Sequence, residues 1–269
     1  MSRAIQTQSG DFVVEIDSDG VAHLILGQAG RMPALGAKGH EEIAAIWRTL
    51  AEAAEVRSVL IRSIGKGFCA GGSPELTEEL LQSEAARMRV MRETRELVQG
   101  MLDCDKPIVS AINGAAVGAG ALLALLADIS VAARDAKILD GHTRIGVAAG
   151  DHAAIIWPLL CGIAKTKYYL LLCEHLSGEE AADIGLVSLC ADRVALEAVA
   201  TDIAKRLAHG SPNALGFTKR TINHWLRAAW PAFEHSLTLE MMGFAGSDAR
   251  EGLNAFKEKR PPRFGRDES

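Results

Sequence analysis

The sequence has no excess of positive charge and no long apolar run, and each absence excludes a class of function. Its 269 residues carry a formal net charge of −5 at pH 7, without the basic stripe that binds nucleic acid. The longest apolar stretch, residues 115–127, is shorter than the roughly 18 residues of a membrane span. The first ten residues contain no apolar core of a signal peptide. We therefore expect no nucleic-acid partner, no membrane partner and no secretory signal.

Cysteine is also sparse. The five cysteines lie at positions 69, 104, 161, 173 and 190, odd in number and without metal-ligand spacing. This pattern favours reduced thiols in the core of a cytoplasmic protein. It predicts no metal site.

The hydrophobic pattern alternates between strand and helix periods. Apolar runs at 12–16 and 21–26 flank the turn sequence DSDG and predict a β-hairpin. Further strands are predicted at 59–62, 107–112 and 129–133, and helical patterns at 43–54, at 74–102 and from about residue 117. Strands that alternate with helices predict an α/β fold with crossover connections.

Helix-boundary signals mark the second half of the chain. The sequence SGEE at 177–180 is a capping box, and Ser211 before Pro212 predicts a helix start. From about Leu196 onward the pattern is almost purely helical. We therefore divide the chain into a core over residues 1–195 and a helical region over residues 196–269.

Two glycine-rich stretches, each between a predicted strand and a helix, carry the strongest signal. They read FCAGGS at 68–73 and NGAAVGAG at 113–120. Such turns let backbone N–H groups approach a ligand oxygen closely, and the following helix adds positive potential. Two of them facing each other would form an oxyanion hole. Close packing of small residues is the alternative interpretation of either turn alone.

The order of several motifs resembles that of the crotonase superfamily, the enoyl-CoA hydratase/isomerase family, over nearly the whole chain. The matching pieces are RMPAL at 31–35, GFCAGG at 67–72, KPIVSAING at 106–114, GAG at 118–120, ADIGLV at 182–187 and REGLNAFKEKR at 250–260. The resemblance implies a spiral of ββα turns followed by a helical trimerisation region. It also implies homotrimers or dimers of trimers, and no cofactor apart from CoA carried by an acyl-CoA thioester substrate.

The same resemblance implies roles for individual residues. It places the two oxyanion N–H groups on Gly72 and Ala119, with Gly71 and Gly118 beside them. CoA would lie near Ala70 and would contact two residues of a neighbouring subunit, Phe256 and Lys259. A solvent-exposed helix face is the alternative interpretation of Lys259.

The chain departs from the hydratase pattern at its two glutamates, which fall on Leu122 and His142. Leu122 transfers no proton, so the two-glutamate mechanism is not expected. His142 with Asp151 would form a general-base pair; the alternatives are an ordinary loop histidine and a helix-capping aspartate. This segment is also similar to that of 6-oxocamphor hydrolase, a superfamily member whose helical-tail glutamate falls on Glu240.

Three hypotheses follow. The first is an acyl-CoA enzyme of the hydratase/isomerase type that uses His142 and Asp151. The second is a hydrolase of a β-diketone or a thioester, with His142 activating water. The third is an acyl-CoA-binding protein without catalysis, in which substitution of His142 leaves CoA affinity unchanged.

Overall fold

The computed structural model describes residues 3–265. Its strands are β1 (Arg3–Gln6), β2 (Phe12–Ile16), β3 (Val21–Leu26), β4 (Ser58–Ser63), β5 (Ile108–Ile112), β6 (Ala116–Val117), β7 (Ile129–Ala133), β8 (Lys137–Leu139), β9 (Leu176–Ser177) and β10 (Leu189–Ala191). Its helices are α1 (Ala37–Glu52), α2 (Pro74–Gln82), α3 (Glu84–Asp103), α4 (Ala119–Leu125), α5 (Ala153–Leu172), α6 (Gly178–Asp183), α7 (Leu196–Ala208), α8 (Pro212–Ala228), α9 (Trp230–Gly243) and α10 (Ser247–Lys257). This mixture confirms the predicted α/β class.

The main sheet has seven strands in the order β1-β2-β3-β4-β5-β7-β10. β2 and β3 form the predicted hairpin, in which Phe12 pairs with Leu26. The Asp17 carboxylate fixes its turn by accepting the N–H groups of Asp19 and Val21, each at 2.9 Å. From β3 onward all neighbouring strands are parallel, as crossover connections require.

The two glycine-rich turns follow β4 and β5, which are parallel neighbours in the sheet. Parallel neighbours end at the same edge, so both turns lie at the carboxyl edge, where open α/β sheets bind ligands. A backbone bridge between Cys69 and Ala116 joins one turn to the other. A small second sheet, β6-β8-β9, carries the chain from the second turn toward residue 140.

Two predicted helices differ from those observed. The segment 74–102 forms two helices, because the Ser83 hydroxyl accepts the N–H of Ala86 and starts α3 anew. A side chain that caps in this way competes with continuation of the preceding helix. The helix predicted over 43–54 ends at Glu52, so Ala54 lies outside it. Ile43, Trp47 and Leu50 are buried along one face, as expected.

The predicted helix starts in the second half of the chain are confirmed. Ser177 and Glu180 form the reciprocal capping box of α6, and Ser211 caps α8 with Pro212 at its first turn. α7 packs on the main sheet through Leu196, Ala200 and Ala204. α9 packs against α3 and α5, and α10 packs against α2. The boundary at 195/196 and the oligomerisation role of 196–269 stay predictions.

One helix, α5, is long and apolar enough to cross a membrane by length and composition, with a mean hydropathy of 1.3 over its best window. The sequence predicted no such segment. One helix that passes this test is weak evidence for a membrane span. Gly162 (φ 77°, ψ 159°) also breaks its helical geometry. Only 22% of the window is buried, so α5 presents an apolar surface outward.

Candidate active site

A cavity of about 390 Å³ opens at the carboxyl edge of the main sheet. Both glycine-rich turns form one wall, and side chains from α2 and α3 form another. The loop after β8 contributes His142, while α9 and α10 contribute Glu240 and Phe256. Segments far apart in sequence therefore meet around one space.

The two turns lie against each other with no room for a side chain between them. Gly71 has φ +85°, and a Cβ on it would lie 2.8 Å from the Val117 carbonyl oxygen and 3.3 Å from the Ala119 nitrogen. Gly118, at φ +51°, sits at the next bend. Glycine is needed at both positions, because L side chains rarely adopt positive φ.

The geometry leaves two N–H groups for a ligand. Ala119 is the first residue of α4, and the first N–H groups of a helix have no partner inside it. In the first turn, the N–H of Gly71 donates to the Cys69 sulfur and that of Ser73 to the Leu35 carbonyl. Within residues 3–265, the N–H of Gly72 between them donates to no protein acceptor. Both residues line the cavity.

A buried cluster of ionisable side chains lies on the other side of the second turn. Its centre is His142, which is 9% exposed. Asp140 Oδ1 accepts both the backbone N–H of His142 at 3.1 Å and its Nδ1 at 3.0 Å. The opposite ring atom, Nε2, lies 3.9 Å from Asp151 Oδ2 and 3.5 Å from Glu240 Oε1. Asp140 thus orients an imidazole whose free end faces two carboxyl groups.

Glycine also explains how α9 reaches this cluster. A Cβ on Gly150 would lie 2.5 Å from the Ser236 carbonyl oxygen and 2.7 Å from Glu240 Oε2. The Ser236 hydroxyl donates to the Gly150 carbonyl at 3.1 Å. The close approach of loop and helix brings Glu240 to His142, and a larger residue at 150 would push them apart.

The environments of these groups separate their pKa values. Burial opposes a charge on His142, but Asp140, Asp151 and Glu240 outweigh burial and raise the pKa of His142 well above 6.5. Burial raises the pKa of Glu240 above 4.5, against the attraction of His142. Burial acts the same way on Asp151, yet His152 and His142 lower the pKa of Asp151 to about 2. Divergent values within one cluster are typical of acid–base sites.

Comparison with known proteins identifies the family. The family model for enoyl-CoA hydratase/isomerase matches residues 17–267. The chain belongs to the enoyl-CoA hydratase/isomerase family. It is 34% identical to a probable enoyl-CoA hydratase from Rhodobacter capsulatus, over 92% of this chain and 95% of the relative. It is 30% identical to 1,2-epoxyphenylacetyl-CoA isomerase from Escherichia coli, over 94% and 98%.

A solved structure shares the fold. An enoyl-CoA hydratase/isomerase from Mycobacterium paratuberculosis superposes with a TM-score of 0.87 at 29% identity, covering 93% of this chain and 99% of the other. The predicted crotonase-type architecture is thereby confirmed. These relatives make the chain an enzyme of the crotonase family, and the family implies an acyl-CoA thioester as substrate.

Within this family fold, Leu122 occupies the position that the resemblance assigns to the first glutamate. It is fully buried and lines the cavity. Its isobutyl group offers no proton, so the wall formed by α4 is apolar at this point. The ionisable groups of the cavity that were identified from the sequence, His142, Asp151 and Glu240, lie together instead.

The structure brings most of the predicted site residues to one cavity. The predicted residues that line it are Ala70, Gly71, Gly72, Gly118, Ala119, His142, Asp151, Glu240 and Phe256. Phe256 lines the cavity of its own chain, whereas the resemblance assigned it to a neighbouring subunit. Lys259 is exposed and does not line this cavity, so its contact with CoA of a neighbouring subunit stays a prediction.

The helix-capping interpretation of Asp151 is not realised. His152, not Asp151, precedes α5, and no side chain caps that helix. Cys69, interpreted as packing, is buried, and burial raises the pKa of its thiol to about 11. That value leaves no thiolate for nucleophilic attack at neutral pH.

Sequence reasoning missed Asp140 and left the orientation of His152 open; both residues contact the cluster. It also missed His40, a buried residue of α1 that lines the cavity and whose Nδ1 lies 2.6 Å from Glu93 Oε2. Asp140 precedes His142 by two residues, the spacing at which Asp side chains bind a following N–H, so it had a readable signal. His40 had none, because Glu93 is remote in sequence.

Asp140, Asp151 and His152 also offer atoms close enough together for a metal ion. However, His152 Nδ1 lies 2.5 Å from Asp151 Oδ1, which is a hydrogen-bond contact. These two atoms satisfy each other, so the trio fits a hydrogen-bonded cluster better than a ligand set.

Proposed function

We propose that the protein adds water to a 2-enoyl-CoA thioester, using Gly72, Ala119, His142, Asp151 and Glu240. The observation that carries the proposal is that two backbone N–H donors and an acid–base cluster line the same cavity. CoA enters as part of the substrate, and no further cofactor has a role. Ala70, Gly71 and Gly118 would border the bound thioester.

The N–H groups of Gly72 and Ala119 would hold the thioester oxygen. Preorganised donors stabilise the enolate oxygen more than the ground-state carbonyl, since charge develops there during the reaction. The positive end of α4 adds to this stabilisation. Side chains are not required for this role, so alanine at 119 is as suitable as glycine.

Proton transfer would use the cluster. Glu240 accepts a proton from water as the hydroxyl oxygen bonds to the β-carbon, and the electrons of the double bond move to the thioester oxygen. The enolate then takes a proton at the α-carbon from the His142 imidazolium. The Glu240 carboxyl returns its proton to neutral His142, whose Nε2 lies 3.5 Å away. The sum is the addition of one water molecule.

The pKa directions support these assignments. Glu240, with its pKa raised, is a stronger base than an ordinary carboxylate once ionised. His142, with its pKa raised, carries a proton at neutral pH. Asp151, with a pKa of about 2, remains ionised and stabilises that imidazolium. Asp151 therefore acts as a charge partner, and Glu240 replaces the proton carrier missing at Leu122.

Hydrolysis of a thioester or β-diketone is the second candidate, and Leu122 favours it. Hydration of the double bond needs a base that takes a proton from water at the β-carbon and an acid that protonates the α-carbon, whereas hydrolysis needs one activated water and an oxyanion site. Leu122 makes one part of the cavity wall apolar, and the cluster of His142, Asp151 and Glu240 alone would meet the smaller requirement.

Substrate assays test the choice between these functions. We expect the purified protein to remove the absorbance of the conjugated double bond of crotonyl-CoA and of a longer 2-enoyl-CoA, without release of free CoA thiol. Thiol release, or cleavage of a β-diketone without CoA, would replace hydration by hydrolysis. Binding of CoA with no turnover of any thioester would identify a non-catalytic binding protein.

The pH dependence of kcat/KM should depend on Asp140. Because His142 acts as an acid, activity should fall as pH rises through the raised pKa of His142. Asp140→Asn removes one of the negative charges that raise this pKa, so the alkaline limb should move to lower pH. The measurement is kcat/KM for a 2-enoyl-CoA across pH, and an unmoved limb would refute this assignment.

We further propose a homotrimer or a dimer of trimers in the cytoplasm. The outward faces of α5 and α8 carry exposed apolar side chains, including Leu171 at 71% and Trp225 at 72% exposure. Apolar surface of this kind marks protein contacts. Light scattering should give a multiple of three times the 28.6 kDa chain mass. Leu171→Arg should lower the measured mass of the assembly. Val194→Arg, at another exposed apolar residue, should leave that mass unchanged. A wild-type monomer would refute the proposal.

A further inference from the structure

Asp151 has a second contact on the side away from the cavity. Its Oδ1 lies 2.5 Å from His152 Nδ1, and His152 Nε2 lies 3.3 Å from the indole Nε1 of Trp157. His152 and Trp157 are fully buried, and neither lines the cavity. A chain of three side chains thus reaches from the core of α5 to Asp151.

The chemistry of these groups fixes the direction of each hydrogen bond. A tryptophan indole donates and has no acceptor, so His152 Nε2 must accept. An imidazole that accepts at Nε2 is neutral and carries its proton on Nδ1. That proton points at Asp151 Oδ1. Asp151 accepts it as a carboxylate, with Oδ2 left to face His142.

We propose that Trp157 and His152 are positioning residues, in which the indole holds His152 as the neutral Nδ1–H tautomer and His152 holds Asp151 as a carboxylate directed at His142. The part of this inference that concerns activity rests on the proposed function. The part that concerns the tautomer does not.

The charged groups around His152 favour its protonation, and the hydrogen bond from Trp157 opposes it. Burial opposes a charge on His152, but the Asp151 carboxylate outweighs burial and raises the pKa of His152. Asp140 acts in the same direction, with its Oδ2 4.0 Å from Nδ1, and His142 acts against it. Trp157 acts against protonation as well, since an imidazolium has no lone pair for the indole to bind.

Asp151 also faces groups from other elements. His40 of α1 lowers its pKa, and Glu240 of α9 faces the same ring nitrogen of His142, Nε2, as Asp151 does. A proton gained by His152 would add a positive charge beside His142 and lower the pKa of His142. The indole thereby keeps His142 a weak acid that holds its proton at neutral pH.

Nitrogen-15 NMR of the histidine rings tests the tautomer without substrate. In the wild type, we expect His152 to show a protonated Nδ1 and an unprotonated Nε2 at neutral pH and above. In Trp157→Phe, which lacks the donor, His152 should titrate to the imidazolium at a higher pH than in the wild type. A wild-type His152 that is cationic at neutral pH, or that has the Nε2–H tautomer, would overturn the proposal.

Trp47→Phe is the matched control. Trp47 is also fully buried, but its indole N–H has no partner among the described residues. The loss of indole volume is therefore similar, whereas no hydrogen bond is lost. We expect the His152 signals to stay unchanged in Trp47→Phe. An equal response in both variants would assign the effect to packing and overturn the proposal.

The pH dependence of kcat/KM should respond to the same positive charge on His152. In Trp157→Phe, the alkaline limb of kcat/KM should move to lower pH together with the NMR titration of His142. His152→Asn, whose amide can still donate to Asp151 but does not titrate, should keep the wild-type limb. If His152 behaves as expected by NMR while no substrate is hydrated, the proposed reaction fails and the tautomer inference stands.

Discussion

His142→Gln is expected to lower kcat for a 2-enoyl-CoA by about 10²- to 10⁴-fold, the usual contribution of a positioned acid or base. Glutamine has hydrogen-bonding groups but no proton to transfer at neutral pH. Because CoA alone brings no acyl group to the acid–base cluster, the affinity for CoA itself should change little. The measurement is steady-state turnover together with calorimetric CoA binding.

His175→Gln provides the matched control, since His175 is exposed and does not line the cavity. It should retain wild-type kcat. Retention of activity in His142→Gln would show that another group supplies the proton, and attention would pass to His40, the other histidine that lines the cavity. A proportional loss of CoA binding would instead indicate a disrupted cavity, which near-ultraviolet circular dichroism would reveal.

Sequence reasoning identified most of the residues that line the cavity where they lie close together in the chain. The two glycine-rich turns follow neighbouring strands; the pattern indicated a possible pair of backbone donors, and the resemblance assigned them to Gly72 and Ala119. His142 and Asp151 lie in one loop, so their pairing was open to inference. Glu240 was identified only through resemblance, since nothing local marks a glutamate of α9 as facing a loop nearly 100 residues earlier.

The parts that escaped prediction depend on packing. His40 and Glu93 meet because α1 packs on α3, a contact that hydrophobic periodicity predicts only as a buried face. His152 was ambiguous because a residue just before a helix has no periodic face. The hydrogen bond from Trp157 orients the His152 ring. This contact could be recognised only once the first turn of α5 was placed in three dimensions. Serine is a common helix-capping residue, so Ser83 was a signal for the break between α2 and α3. The helical apolar pattern continues on both sides of it, which favoured a single helix.

Ala119→Pro is expected to lower kcat by about 10²- to 10³-fold, the cost of removing one oxyanion donor. Ala119 is the first residue of α4, where proline is well tolerated because its missing N–H has no partner in the helix. Gly118 before it has φ 51° and ψ −124°, the mirror image of the extended region that a residue before proline favours. Glycine alone adopts that region readily, so the substitution should remove the donor and leave the helix intact.

Ala119→Gly, which keeps the N–H, should retain nearly full activity and separates the donor from the side chain. Thermal unfolding of both variants should stay close to that of the wild type, because proline fits the first helical position. CoA affinity, measured without an acyl group, should also be maintained, since free CoA has no thioester carbonyl for the oxyanion hole. Wild-type kcat in Ala119→Pro would mean that the thioester oxygen does not bind between the two turns. A loss of kcat caused by removing one backbone N–H would distinguish this site from one that binds its substrate through side chains. The variant therefore tests the pair of backbone donors on which the family resemblance depends.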